Sequence, residues 1–155
     1  MIVYPNAKIN VGLNILRKRE DGYHDISSVF YPVKECLDIL EIIKSEEFEF
    51  TNSGIAIPER ENICIKAWKL FRSYFEISNV KIHLHKQIPI GAGLGGGSAD
   101  ASFTLKALNE LFNLKLTNKE LEKYALKLGA DCPFFIDNIT KLVEGIGEKM
   151  TSTDL

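Results

Sequence analysis

The segment that most constrains this chain is a glycine-rich stretch at residues 89–101, which reads Pro-Ile-Gly-Ala-Gly-Leu-Gly-Gly-Gly-Ser-Ala-Asp-Ala. Apolar and polar residues alternate before it, from Val80 to Leu84, and this pattern predicts a strand. After it, apolar residues recur at spacings of four, three and four from Ala101 to Phe112, which predicts a helix. A glycine loop between a strand and a helix exposes the N–H groups and the positive end of the helix dipole, and these groups bind anions. We therefore expect a phosphate site here.

Other interpretations of this segment are weaker. The Walker pattern requires a lysine where this chain has Gly97. Residues 91–96 match the dinucleotide pattern Gly-x-Gly-x-x-Gly, but any glycine run does so by chance, and residues 114–116 form a short link between helices where that fold requires a second strand. The glycine loop of protein kinases lies in a hairpin, whereas a helix follows here. A linker without a ligand is the remaining alternative, but a linker needs no helix directly behind it.

Length and composition are typical of one soluble globular domain, with 155 residues, 45% of them hydrophobic and 26% charged. The net charge of -2 gives no basic signal for nucleic acid. No apolar run approaches the ~20 residues of a membrane span, and the N-terminus lacks the pattern of a signal peptide. Cys36, Cys64 and Cys132 are far apart, which favours neither a metal site nor a disulfide framework and suits a reducing cytoplasm.

Strands come early in the chain and helices are concentrated later, so we predict an α+β fold in a single domain over residues 1–155. Besides the strand at 80–84, alternation predicts a strand at 8–15. Aromatic and β-branched residues predict a strand at 26–33, and an apolar run predicts one at 38–44, with a shorter one at 48–51. Asp21-Gly22 supplies the chemistry of a hairpin turn, and residues 52–54 and 58–61 are predicted loops. Residues 142–155 form a weakly patterned tail.

Three helices are predicted. Asn62 caps the first, whose buried stripe comprises Ile63, Ala67, Leu70 and Tyr74, widened by Trp68 and Phe71. The second covers about residues 98–113. Thr117 and Glu120 form a capping box at the start of the third, and Gly129 is placed to end it in the left-handed conformation.

Phosphoryl transfer requires a phosphate cradle, a metal ion, a positive charge near the transferred group and an acceptor for the alcohol proton. Lys8 is a candidate for the positive charge, but a strand face that carries Lys8, Asn10 and Asn14 is equally well explained by contact with water. Ser98, at the predicted helix start, is placed to bind a β-phosphate oxygen or Mg²⁺ through its hydroxyl. The alternative is that Ser98 is a plain helix cap.

Asp131 is a candidate base because it follows a predicted helix terminator and lies two residues before Pro133. The alternative is that Asp131 caps a short helix with Pro133 in its first turn. His83 and His85 have a spacing that metal sites use, but they share one face of a strand with no third ligand nearby in the sequence. We interpret these histidines as strand surface.

The chain contains five separated motifs, which follow one another in this order: Pro-Asn-Ala-Lys-Ile-Asn at 5–10, Lys-Arg-Glu-Asp-Gly-Tyr-His at 18–24, Gly-Leu-Gly-Gly-Gly-Ser at 93–98, Leu-Gly-Ala-Asp-Cys-Pro-Phe at 128–134 and Glu-Gly-Ile-Gly-Glu at 144–148. Together they resemble the GHMP kinases, a family of small-molecule kinases named for galactose, homoserine, mevalonate and phosphomevalonate. The Asp-Gly-Tyr-His turn is similar to that of the branch whose substrate is a cytidyl-linked alcohol. The resemblance covers nearly the whole chain.

This resemblance implies the N-terminal domain of a GHMP kinase, related to domain 2 of ribosomal protein S5, with an antiparallel or mixed sheet and helices packed on one face. It implies ATP as co-substrate with Mg²⁺, and phosphorylation of the 2-hydroxyl of a cytidyl-linked alcohol in non-mevalonate isoprenoid precursor synthesis. Two alternatives stay open. One is another GHMP kinase, for mevalonate or homoserine, and the other is a nucleotide-binding module without catalysis.

The resemblance also implies roles for individual residues. Asp131 would accept the proton of a tertiary alcohol, and Lys8 would keep Asp131 ionised and orient the hydroxyl, since an adjacent cation lowers the pKa of a carboxylate. Asn10 would place the substrate, and Tyr23 and His24 would hold the cytosine. The residues implied to bind ATP are Asn62, Pro89, Ile90, Gly91, Ala92, Gly93, Leu94, Gly95, Gly96, Gly97, Ser98 and Ala99, with Ser98 also a candidate Mg²⁺ ligand.

GHMP kinases have a second domain after this point, whereas this chain stops at Leu155. The resemblance therefore implies the N-terminal domain alone. We expect the isolated chain to fold, to bind nucleotide weakly, to show little or no kinase activity, and to self-associate through the surface that a second domain would cover. Its expected partners are ATP and a small cytidyl substrate, with neither nucleic acid nor membrane.

Overall fold

The predicted strands pair into two separate sheets in the computed structural model, which describes residues 1–22, 24–57, 62–145, 147 and 149–153. In chain order the strands are β1 (Ile2–Val3), β2 (Asn6–Lys18), β3 (His24–Leu37), β4 (Ile39–Lys44), β5 (Glu49–Gly54), β6 (Val80–Lys86), β7 (Lys141–Gly145) and β8 (Lys149–Ser152). The helices are α1 (Ile63–Tyr74), α2 (Gly96–Leu111), α3 (Asn118–Leu126) and α4 (Phe134–Asp137). The α+β prediction is confirmed.

The first sheet has the order β1-β4-β6-β5, and it is antiparallel except where β5 runs parallel to β6. Alternation in β6 has the predicted effect, because Val80, Ile82 and Leu84 are buried in the main hydrophobic core with residues of α1 and α2. The prediction of a loop at 52–54 is wrong. Strand β5 continues to Gly54 because the parallel partner β6 extends that far and supplies backbone bonds throughout.

The second sheet has the order β2-β3-β7-β8 and is antiparallel throughout. The prediction of a weakly patterned tail is wrong for its described part, since β7 pairs with β3 and β8 pairs with β7. A short strand with little pattern of its own is stabilised by the edge of an existing sheet. This sheet has its own smaller core, which contains Phe30, Val143 and Phe134.

The buried face of α1 differs from the predicted stripe. The buried residues are Cys64, Ala67, Trp68 and Phe71, whereas Tyr74 is 54% exposed. These four follow the i, i+3, i+4, i+7 spacing, so the stripe that meets the sheet is rotated from the predicted one. The Asn62 cap is confirmed, because its side chain accepts a hydrogen bond from the Cys64 N–H.

Helix α2 begins at Gly96, two residues before the prediction, and its residues Ala101, Leu105 and Leu108 are buried as predicted. The capping box at the start of α3 is confirmed. The prediction for Gly129 is wrong, since its φ lies outside the left-handed range. A Cβ at this position would lie 3.2 Å from the Cys132 Sγ atom, so tight packing explains this glycine better than backbone conformation. Among the described helices, none has the length and apolarity that crossing a membrane requires.

Candidate active site

The glycine loop connects β6 to α2, as the sequence predicts. Gly91, Gly93 and Gly95 all have φ between 70° and 75°, in the left-handed region. At Gly95 a side chain is also excluded by space, because a Cβ would lie 2.9 Å from Phe135 Cζ and 3.0 Å from Lys8 Cγ. The loop therefore lies directly against Lys8. The sixteen-residue helix α2 begins at the end of the loop, so the unpaired N–H groups of its first turn face the loop.

A cavity of about 480 Å³ lies on one side of this loop. Its walls include the implied ATP-binding residues Asn62, Pro89, Ile90, Gly91, Ala92, Gly93, Leu94, Gly95, Gly96, Gly97 and Ser98. Ala99 is placed elsewhere, since it is fully buried in the second core. Ile57 and Ile63 add apolar surface. The volume is within the range of small-molecule sites, and apolar walls with a loop rich in N–H groups suit a nucleotide.

A second cavity, of about 590 Å³, borders the same loop and shares residues 92–95 with the first. Lys8, Asn10 and Asp131 line it. The Lys8 Nζ atom lies 3.3 Å from Asp131 Oδ2 and donates a hydrogen bond to Asn10 Oδ1. The structure thus brings together three of the predicted site residues, and Asp131 lies more than 100 positions along the chain from Lys8 and Asn10.

Lys8 is held from several sides. Its side chain is buried, and Nζ lies 4.1 Å from the centre of the Phe30 ring. Its backbone N–H donates to the Leu94 carbonyl at 2.8 Å, which ties β2 to the loop. Lys8 therefore does not lie on a strand face that contacts water, which was the alternative interpretation.

Asp131 does not cap a short helix, which was its alternative interpretation. Helix α4 begins after Pro133, and Asp131 lies in the preceding turn.

Ser98 lies in the first turn of α2 and faces the first cavity. The interpretation of Ser98 as a plain helix cap is wrong, because the N-cap of α2 is Gly95. Within the part of the chain that the structure describes, no three His, Cys, Asp or Glu side chains form a metal-binding group. His83 and His85 lie on the sheet and contact the hydroxyls of Thr51 and Ser53.

The turn implied to hold the cytosine is less fully described. His24 is exposed at the start of β3, opposite Lys18, and Tyr23 lies outside the described residues. Arg17 and Arg19 both bind Asp25 at the base of the turn. The hydrogen bond from Arg17 and that from Arg19 together lower the pKa of Asp25 against the opposing effect of burial.

Sequence reasoning missed a buried ion cluster beside the first cavity. Lys86 Nζ donates to Asp38 Oδ2 and to Asp100 Oδ2, and all three side chains are at most 3% exposed. Burial raises the pKa of Asp100 to about 8, although the Lys86 cation opposes this shift. Burial also acts to lower the pKa of Lys86, but the two carboxylates outweigh it and the net shift is upward. One signal was available, because Lys86 continues the inward-facing positions 80, 82 and 84 of its strand.

Comparison with known proteins agrees with the motifs. A model of the family described as "GHMP kinases N terminal domain" matches residues 62–138. The protein from Azobacteroides pseudotrichonymphae named 4-diphosphocytidyl-2-C-methyl-D-erythritol kinase is 49% identical over 100% of this chain and 58% of its own length. The protein of the same name from Bacteroides fragilis (strain ATCC 25285) is 51% identical over the same shares. This chain thus spans little more than half the length of these relatives.

A solved structure agrees as well. The crystal structure of a 4-(cytidine 5'-diphospho)-2C-methyl-D-erythritol kinase superposes with a TM-score of 0.88 at 35% sequence identity. The match covers 100% of this chain and 56% of that one.

Proposed function

This chain belongs to the GHMP kinase family, and we propose that it is the ATP-binding part of an enzyme that phosphorylates the 2-hydroxyl of 4-diphosphocytidyl-2-C-methyl-D-erythritol. One observation carries the proposal. A Lys8–Asp131 ion pair and a nucleotide-sized cavity border the same glycine loop. Phosphoryl transfer places the acceptor alcohol on one side of the γ-phosphate and the leaving group on the other, and two cavities that share one loop suit these two roles.

In the proposed reaction the 2-hydroxyl oxygen bonds to the γ-phosphorus, the bond from that phosphorus to the β–γ bridging oxygen breaks, and ADP leaves. Asp131 accepts the hydroxyl proton. Lys8, 3.3 Å from Asp131, pairs with the carboxylate and orients the alcohol, and Asn10 holds the Lys8 ammonium in place. The N–H groups of the loop hold the phosphates. Mg²⁺ would neutralise the β- and γ-phosphate charge, and Ser98, which lines the first cavity from the first turn of α2, would supply a hydroxyl ligand.

For the substrate, we propose that Tyr23 and His24 hold the cytosine ring, the aromatic face by stacking and the histidine at the polar edge. This assignment rests on the Asp-Gly-Tyr-His motif and on the names of the relatives. It also favours this substrate over those of other GHMP kinases. We further propose a cytoplasmic enzyme of the non-mevalonate isoprenoid route, in keeping with three free cysteines.

The test is Asp131→Asn in the protein completed to the length of its relatives. The amide has nearly the same shape but cannot accept the proton, so we expect both substrates to bind and turnover to fall about a hundred- to ten-thousand-fold. Lys8→Met should lower turnover as well. The assay couples ADP release to a spectrophotometric readout.

Asp137→Asn is the matched control. Asp137 is exposed to a similar degree (30%, against 34% for Asp131) and pairs with Lys141 at 2.8 Å, but it lies in neither cavity. Its turnover should stay close to wild type. A loss for Asp131→Asn no larger than that of the control would show that Asp131 is not the base.

Calorimetry with CMP and with a non-hydrolysable ATP analogue separates the alternatives. A nucleotide-binding module without catalysis would bind the ATP analogue but show no turnover at full length, and another GHMP kinase would not bind CMP.

A further inference from the structure

The buried cluster of Lys86, Asp38 and Asp100 has no part in the chemistry proposed above. Its members come from three places: Asp38 from the junction of β3 and β4, Lys86 from the end of β6, and Asp100 from the first turns of α2. Removing three ionisable groups from water costs free energy that a surface pair does not incur, and a buried pair is therefore weak evidence of stability alone. The position of the cluster, under the glycine loop, points to a more specific use.

Each carboxylate holds one end of the loop. Asp38 Oδ1 accepts the backbone N–H groups of Gln87 at 2.6 Å and Ile88 at 2.9 Å, just before the loop begins. Asp100 lies beyond the loop, on the helix that follows it. Lys86 joins the two carboxylates, with its Nζ bonded to both. The cluster therefore sets the distance between the end of the strand and the start of the helix.

The backbone at the start of α2 lies very close to Lys86. A Cβ at Gly96 would lie 2.9 Å from Lys86 Nζ and 2.8 Å from Ile88 Cγ2. A cation at a helix N-terminus opposes the helix dipole, so its position there depends on the two carboxylates. Lys86 borders the nucleotide cavity but is only 3% exposed. Its bonds direct the ammonium group toward the carboxylates of Asp38 and Asp100.

We propose that Lys86, held between Asp38 and Asp100, is a positioning residue that keeps the two ends of the nucleotide loop at the spacing that phosphate binding requires. This inference rests on the proposed function, because it takes the loop to be the site of ATP. It assigns Lys86 no contact with the phosphates. Loss of Lys86 should therefore weaken binding by releasing the loop.

The chain supplies a matched control in a second buried lysine. Lys141, 5% exposed, binds Asp137 at 2.8 Å and Glu122 at 3.4 Å, and joins β7 to α4 and α3 away from the loop. Lys86→Met and Lys141→Met each leave two carboxylates without their cation, so both should lower the melting temperature. Only Lys86→Met should also weaken binding of a non-hydrolysable ATP analogue with Mg²⁺, by about tenfold or more. Binding to Lys141→Met should stay within about twofold of wild type, as expected for independent sites.

Asp100→Asn distinguishes positioning from direct contact and also serves if Lys86→Met does not fold. The substitution keeps the shape of the side chain and removes its capacity to ionise and pair with the Lys86 ammonium. If Lys86 bound phosphate directly, freeing it from Asp100 would strengthen binding. Positioning predicts weaker binding, since the loop loses one of its two anchors.

Hydrogen exchange of the amides of residues 87–98 tests the anchoring without nucleotide. We expect faster exchange in Lys86→Met and Asp100→Asn than in wild type, and wild-type exchange at these residues in Lys141→Met. Unchanged loop exchange in the first two variants would overturn the inference, as would equal loss of affinity in both lysine variants, or tighter binding by Asp100→Asn. If the wild-type chain binds no ATP analogue but the loop amides exchange faster in Lys86→Met and Asp100→Asn, the result would contradict the proposed function alone.

Discussion

The two sheets of this domain carry the same alternating pattern and place it in opposite environments. In β6, Val80, Ile82 and Leu84 are at most 1% exposed, and α1 and α2 contribute to the core around them. In β2 the alternating apolar residues are Ile9, Val11, Leu13 and Ile15, and their exposure ranges from 41% to 66%. Alternation thus identifies the strand in both cases, but whether its apolar face is covered depends on elements from elsewhere in the chain.

Charged residues make the contrast sharper. In β2 the buried charged residue is Lys8, next to the exposed Ile9, because Lys8 faces the glycine loop and the Phe30 ring. In β6 the buried charge is Lys86, at the inward end of an apolar face. Both lysines are buried by contact with the same loop. Contact with this loop, and not side-chain polarity alone, thus decides which charged residues of the two strands are buried.

The largest expected effect compares the same substitution in each sheet. Leu84→Ala leaves a cavity in the main core and should lower the free energy of unfolding by about 2–5 kcal/mol. Leu13→Ala truncates a side chain that is 54% exposed and should change it by no more than about 0.5 kcal/mol. Urea unfolding followed by circular dichroism measures both. Similar losses would mean that the outer face of β2 is covered in solution.

The second prediction contrasts a buried and an exposed carboxyl group. Burial raises the pKa of Asp100 from 3.8 to about 8. A raised native pKa means that the native state holds this proton more tightly than the unfolded chain. The stability from this group is therefore complete below about pH 4 and is lost as pH rises toward 8. Asp100→Asn should remove that decline, which unfolding at several pH values measures. The other titratable groups around position 100, namely Lys86, Asp38 and the Cys64 thiol, are unchanged in this variant.

Asp25, in the second sheet, should show the opposite sign. Its pKa is lowered by Arg17, so its stabilising effect is present at neutral pH and is lost as pH falls through the native pKa. Asp25→Asn should therefore change the stability profile in acid alone. Profiles for Asp100→Asn and Asp25→Asn that change in the same direction would contradict both assignments.

The smallest change in stability is expected for substitutions that alter self-association of the chain. We predict that the exposed apolar residues of β2 make the chain self-associate, since contiguous apolar surface of this kind promotes contact between copies. Leu13→Gln should shift the mass measured by light scattering toward that of a monomer, with the fold unchanged. Ile43→Gln is the control, because Ile43 is 45% exposed on β4 of the first sheet. A wild-type chain that is monomeric at all concentrations would show that this face needs no partner.

Much of the fold and site could be predicted from local sequence. The glycine run, the alternation in β6 and the capping box at Thr117 depend on residues a few positions apart, whose backbone preferences act locally. Errors arose where neighbours in space decide the outcome. Strand β7 forms because β3 presents an edge to it from more than 100 residues away, and the buried stripe of α1 is set by the sheet it meets.

The sequence by itself therefore determined the chemical parts of this protein: a glycine-rich loop at 89–98 between a strand and a helix, a lysine and an aspartate in recognisable motifs, and the α+β class. Only the tertiary structure decided that Lys8 and Asp131 lie 3.3 Å apart, that Lys86 is enclosed by Asp38 and Asp100, and that the apolar face of β2 is open. The reason is physical. A local pattern limits the conformations of its own segment, whereas ion pairing and burial depend on which distant segments share the same space, and only the folded chain brings them together.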